Sequence, residues 1–260
     1  MSVTLTVPSA PGGEPQKQDL PSVLSYFAQR RAAGYIGLLL PPVVLIYDRL
    51  LTLGCVPGSI SASYHTGVRN FFIGSLCSVG VFLISSIGFK EDRPWSILAG
   101  VLAFLVGFFP TSMDDSCRLG NATEPPAFTP VVHLIAGVAL FLVFALFCLV
   151  LFIRTEKDGA VVRRPKLATL PKPKRNRNIV FLVCGWIMVT VIATSGIWVG
   201  VAKLFNKITV PDHLVFVVEW VCLWSFGFAW LVKGQQLFKD EVDVSPKPET
   251  QLEAKLESVR

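Results

Sequence analysis

Apolar residues in this chain do not alternate with polar ones but gather in six long blocks joined by polar connections. Each block runs for about 17 to 23 residues, the length that crosses roughly 30 Å of hydrocarbon at 1.5 Å rise per residue. The blocks predict helices over Ala33 to Leu53, Asn70 to Phe89, Trp95 to Met113, Val131 to Ile153, Ile179 to Leu204 and His213 to Val232. Pro41-Pro42 removes two backbone donors from the first helix, so a kink is expected there. Pro130 and Pro211-Asp212 stand where helices four and six begin, as suits first-turn residues. The expected fold is all-α: a polytopic membrane domain of six transmembrane helices over residues 33–232. A polar, Pro-rich and disordered cytoplasmic tail over 1–32 precedes it, and a second cytoplasmic tail over 233–260 follows it.

Composition agrees with that pattern. Hydrophobic residues make up 52% of the 260 and charged residues only 16%, against about 25% in a soluble domain. The first 32 residues hold no apolar core region, so the first helix is expected to direct insertion itself. The formal charge of +6 does not point to nucleic acid, because its distribution is that of membrane loops. Nine Lys and Arg lie between Arg154 and Arg177, in the connection from helix four to helix five. Lys90 and Arg93 join helices two and three, and Arg30-Arg31 precede helix one. By the positive-inside rule these segments are cytoplasmic, which places both termini inside. Residues 54–69, 114–130 and 205–212 then face out, in a plasma or inner membrane.

Several spacings suggest how helices pack. Gly196 and Gly200 form a small-xxx-small pattern in helix five, and Gly74 with Ser78 repeats it in helix two. Phe216, Trp220, Trp224 and Phe228 recur every fourth residue as an aromatic stripe, expected to face lipid or a neighbouring helix, or to wall a cofactor. The two halves share no repeat, which counts against an inverted-repeat transporter. Residues 249–260 read as a solvated tail or a short amphipathic helix.

Ionisable groups inside a bilayer are costly, so each is a site hypothesis. His65, His133 and His213 all fall on the expected outer side, with Asp48, Arg49, Arg69, Asp114, Asp115 and Asp212. Glu219 lies deepest, about 9 Å below His213 along a helix axis. Three readings stay open. The charges are structural, with Glu219 paired to Arg69 or a histidine. Alternatively they border an outward pocket for a lipid headgroup or small polar ligand, built from Arg69, His133, Glu219, Asp114 and Tyr64, with the hydroxyl-rich segment Ser59 to Thr66 as a lid. In the third, His65, His133 and His213 hold zinc, with Asp114 or Glu219 as base for an activated water; no HxxxH or HExxH spacing supports it. Haem ligation by His133 and His213 is a remote variant. GxSxG, P-loop, GxGxxG and CxxC signatures are missing. Cys55 and Cys117 fall in expected outer loops, where an oxidising exterior permits a disulfide. Asn121-Ala122-Thr123 is a glycosylation sequon, relevant in a eukaryotic source.

The stretch from Ser59 through Tyr64, His65 and Gly67 to Arg69 resembles a largely uncharacterised family of six-helix membrane proteins common in bacteria. Leu98-Ala99-Gly100, Phe109-Pro110-Thr111, His133, Arg177-Asn178, Cys184-Gly185, Glu219-Trp220, Phe226-Gly227 and Trp230 to Gly234 carry the same resemblance, in which Tyr is commoner at position 65. It implies the six-helix fold and no activity. A more distant similarity is to the superfamily of alkaline ceramidases and progestin-type receptors, which have seven helices and a closing HxxxH pair that this chain lacks. The leading expectation is a protein that binds or handles a membrane lipid or small polar ligand near the outer face, with no cofactor. The alternatives are a zinc-dependent lipid hydrolase at the outer leaflet and a non-catalytic assembly subunit with a homo-oligomeric or membrane-protein partner.

Overall fold

A computed structural model of the chain describes residues 4–6, 17–52, 54, 56–86, 92–113, 124–157, 160–162, 166–205 and 209–234. Asp114, Asp115, Cys55, Cys117, Asn121 and the tail over 235–260 lie outside the described residues. The body is built from six α-helices: α1 Leu20–Ile46, α2 Arg69–Ser85, α3 Arg93–Phe108, α4 Phe128–Leu146, α5 Lys172–Phe205 and α6 Leu214–Lys233. Beside them stand two three-residue antiparallel pairs, β1 Thr4–Thr6 with β2 Lys17–Asp19 and β3 Thr155–Lys157 with β4 Ala160–Val162.

Four helical stretches are long and apolar enough to cross a membrane: Phe27–Leu50, Phe128–Leu151, Lys172–Phe205 and Leu214–Lys233. The expected second and third helices are apolar but shorter, at 17 and 16 residues. Pro110 accounts for the shorter third helix. A residue before proline is pushed out of the α region, and Phe109 is extended at φ −95° and ψ 112°. The hydropathy block continues to Met113, but the helix ends at Phe108. The expected first and fifth helices begin earlier than their apolar blocks, at Leu20 and Lys172.

The helices pack in chain order as a ring, each against the next, with α6 returning to α1. Two contacts in this ring are made glycine to glycine. A Cβ on Gly227 would lie 2.7 Å from Gly34 O, and one on Gly34 would lie 2.9 Å from Gly227 O, so α1 and α6 touch backbone to backbone. Gly80 and Gly100 join α2 to α3 in the same way, at 3.1 and 2.7 Å. Gly74, Gly196 and Gly200, by contrast, have nothing within 4 Å of an added Cβ. The small-xxx-small spacings read from the sequence are therefore not the ones that join helices within the described chain.

Helix α1 continues through Pro41-Pro42. Pro42 cannot donate to the carbonyl four residues before it, and a carbonyl in hydrocarbon needs another donor. Trp224 of α6 supplies one, with Nε1–H donating to Leu38 O at 3.1 Å. One member of the aromatic stripe thus repairs the ladder that the proline pair breaks. Phe216 at the N-terminal end of the stripe is buried, whereas Trp224 and Phe228 are exposed. A second aromatic face of α6 packs into the core. Phe226 stacks on Phe144 with centroids 4.0 Å apart, and Trp230 packs among Phe144, Phe147 and Phe152. At the basic end, Arg154 pairs with Asp92 at 2.5 Å and Lys233 Nζ donates to Phe152 O at 3.3 Å.

Candidate functional site

The hydroxyl-rich segment after the first helix folds into the ring instead of lying over it. Ile60, Ser61, Ala62, Ser63, Thr66 and Val68 are buried, with Ser61–His65 wound as a 3-10 turn. A turn this short leaves its first N–H groups without internal partners. Glu219 of α6 takes them: Oε2 accepts from Ile60 N at 2.6 Å and Ser61 N at 3.1 Å, and Oε1 accepts from Ser61 Oγ at 2.9 Å. Phe216 N donates to Gly58 O at 3.0 Å, a second tie from the same helix. A carboxylate that accepts three hydrogen bonds can sit this deep, because each bond replaces a water it has lost.

The end of α3 supplies acceptors for both histidines of this region. His65 Nε2 bonds Thr111 O at 2.8 Å, and His133 Nδ1 bonds Phe109 O at 2.7 Å. A carbonyl can only accept, so these ring nitrogens carry the hydrogens and each tautomer is set. Phe109 and Thr111 are available because Pro110 ends the helix there and leaves their carbonyls outside a ladder.

Below these groups lies a cavity of about 390 Å³ at the centre of the ring. Its walls are apolar side chains from all six helices, among them Leu40, Leu76, Val106, Phe141, Val199 and Leu223. Stacked Phe144 and Phe226 bound one end of it. Ser61, His133 and Glu219 border the other end, and Ser75 and Ser195 add hydroxyls along the wall. Glu219 and Phe226 are seven residues apart on one helix, so the polar and aromatic ends stand about 10 Å apart.

The wall is incomplete between α4 and α5. Towards the aromatic end of the cavity these helices touch closely: a Cβ on Gly185 would meet Leu149 at 2.5 Å and Cys148 at 3.1 Å. Towards the polar end Leu134 lines the cavity yet is 64% exposed, and Gly196, which also lines it, has nothing within 4 Å of an added Cβ. The cavity therefore opens sideways, through the apolar face of the ring.

His133, Glu219 and Ser61 border one cavity. Of the other residues expected there, Asp114 lies outside the described residues, and Arg69 and Tyr64 pair with each other. Arg69 turns away, with Nη2 donating to Tyr64 Oη at 2.6 Å and its guanidinium 4.2 Å from the Tyr64 ring centroid; neither residue lines the cavity. Glu219 is held by the Ser61 turn rather than by Arg69 or a histidine. No family model, curated protein or solved structure matches the chain. His213 is exposed before the first turn of α6. Among the described residues no three His, Cys, Asp or Glu side chains gather as a metal set. Sequence reasoning missed Gly137 and Ser195, which line the cavity. A hydroxyl next to glycine in the apolar run of helix five is the one signal that marked Ser195.

Proposed function

We propose that this chain is a multi-pass membrane protein that binds an amphipathic lipid in its central cavity. All six helices span in this reading, the shorter α2 and α3 included, with both termini and the basic connection over 154–178 on the cytoplasmic side. The lipid's apolar chain lies among Leu76, Val106, Phe141 and Leu223, and its polar end lies against Ser61 and His133. It enters from the bilayer between α4 and α5. The observation that carries the reading is the polarity of the cavity: an apolar chamber with its ionisable groups collected at one end. A drug-sized ligand site has this composition, mostly apolar with a few placed polar groups.

Two measurements test it. Native mass spectrometry of protein purified in mild detergent is expected to find one lipid per chain. Gly137→Leu should cut that occupancy about tenfold, because Gly137 borders the cavity and an added Cβ there meets only Val106, at 3.9 Å. Thermal stability should be kept, since the new side chain fills space and displaces no neighbour. Unchanged lipid in the variant, or none in either protein, counts against the cavity. Stoichiometric zinc that is lost on His133→Ala would instead favour the hydrolase reading. For topology, a membrane-impermeant thiol reagent outside intact cells should label a cysteine placed at 210 and spare one placed at 168. The reverse pattern would invert the assignment.

A further inference from the structure

At the outer end of α1 a carboxylate is buried alone. Asp48 lies in the π-helical turn Tyr47–Thr52 that continues α1, with none of its surface exposed. Neither Oδ1 nor Oδ2 has a hydrogen-bond partner. Two arginines stand near it in the sequence, and both are directed elsewhere. Arg49 Nη1 donates to Gly54 O, and Arg69 is taken by Tyr64. The side chain of Thr66 faces the carboxyl group, but its hydroxyl donates to Ser63 O at 3.1 Å. Thr66 Oγ1 also accepts from Val68 N at 3.4 Å, so Thr66 stands beside Asp48 with one oxygen lone pair left over and its hydrogen directed elsewhere. Ser63 Oγ, on the same turn of the 56–68 segment, is fully buried and also without a partner.

An ionised carboxylate taken out of water with nothing opposite it is costly, so a proton or a cation must compensate it. The oxygens on offer here are the Asp48 carboxylate, the Thr66 hydroxyl that faces it and the unpartnered Ser63 hydroxyl on the same segment. The site also sits at the carbonyl end of α1, where the helix dipole is negative, and where pairing changes from the α to the π register. An all-oxygen set suits a hard cation, and irregular helix ends carrying carbonyls and a carboxylate are how sodium is held at membrane depth. The single carboxylate decides the charge of the ion. A monovalent cation leaves the site neutral, whereas a divalent one leaves a net positive charge buried.

We infer that Asp48, Ser63 and Thr66 form a binding site for a monovalent metal cation of the sodium type, which ties the end of α1 to the 56–68 segment. None of the three residues lines the lipid cavity, so the site stands independently of the proposed function. The test is thermal unfolding of the full detergent-purified chain at constant ionic strength, in choline, sodium, potassium or calcium chloride. Sodium or potassium is expected to raise Tm over choline by about 5 °C or more at saturation. Asp48→Asn should abolish that response while folding normally, since an amide there is uncharged. Equal melting in choline and sodium overturns the inference, as does a sodium response that survives in Asp48→Asn. A response to calcium alone overturns the monovalent assignment. Should Asp48→Asn fail to fold, Ser63→Ala with Thr66→Val must weaken the apparent sodium affinity at least tenfold, and an unchanged affinity overturns the site.

Discussion

Gly227→Val is expected to abolish the folded, monodisperse protein. The branched side chain would begin 2.7 Å from Gly34 O and 2.8 to 3.0 Å from Leu38, closer than any real Cβ approaches such atoms. Two of those neighbours are backbone, so relief requires α1 and α6 to move apart rather than one rotamer to change. Their separation would also pull Trp224 from Leu38 O and reopen the break left by Pro42. Overpacking alone costs about 1–3 kcal/mol, and forced separation of two helices in lipid, where close contact is the main source of association, puts the total at roughly 3 kcal/mol or more. Gly200→Val is the control. Nothing lies within 4 Å of its added Cβ, so a change within about 0.5 kcal/mol is expected. Size-exclusion profiles and unfolding midpoints of the two variants decide the matter, and similar behaviour would show that the α1–α6 contact is looser than described.

Glu219→Ala should be the second large effect. The substitution removes three hydrogen bonds and leaves the Ile60 and Ser61 amides buried without acceptors. Each such amide costs about 1–3 kcal/mol, which places the loss at roughly 3 kcal/mol. The damage should be local to the 56–68 segment, because Phe216 N still holds Gly58 O. Glu219→Gln keeps a carbonyl acceptor for the Ile60 and Ser61 amides and can donate its own amide hydrogen to Ser61 Oγ, so it should lose less than half as much. Hydrogen exchange over residues 56–68 is the direct readout, with fast exchange expected in the alanine variant. Retained lipid should fall with it, since the segment forms the polar end of the cavity. Wild-type exchange rates in both variants would mean that the carboxylate does not hold the turn.

Much of the molecule can be read from the chain alone. Six apolar blocks predicted six helices, and six α-helices stand among the described residues, although two of them are shorter than a membrane span usually needs. Glu219 and His133 stood out in the chain because an ionisable group within an apolar block must be compensated, and both border the cavity. The proline pair in helix one announced a damaged ladder, though not that Trp224 would mend it.

The tertiary structure decided which small residues join helices, which arginines are engaged, and where the cavity opens. Gly196-xxx-Gly200 had the spacing and joins nothing within the described chain, while Gly34 and Gly227 had no motif and bring α1 and α6 together backbone to backbone. Arg69, which with the histidines was one expected partner of Glu219, instead stacks on Tyr64, and the Asp48 oxygens have no hydrogen-bond partner. The physical reason is common to these cases. Hydropathy records whether a segment prefers lipid to water, and that preference is local to the segment. A helix in lipid is apolar on every side, so the period that marks the buried face of a soluble helix is faint. Which face turns inward depends on the helix opposite, and that is known only once the ring is closed.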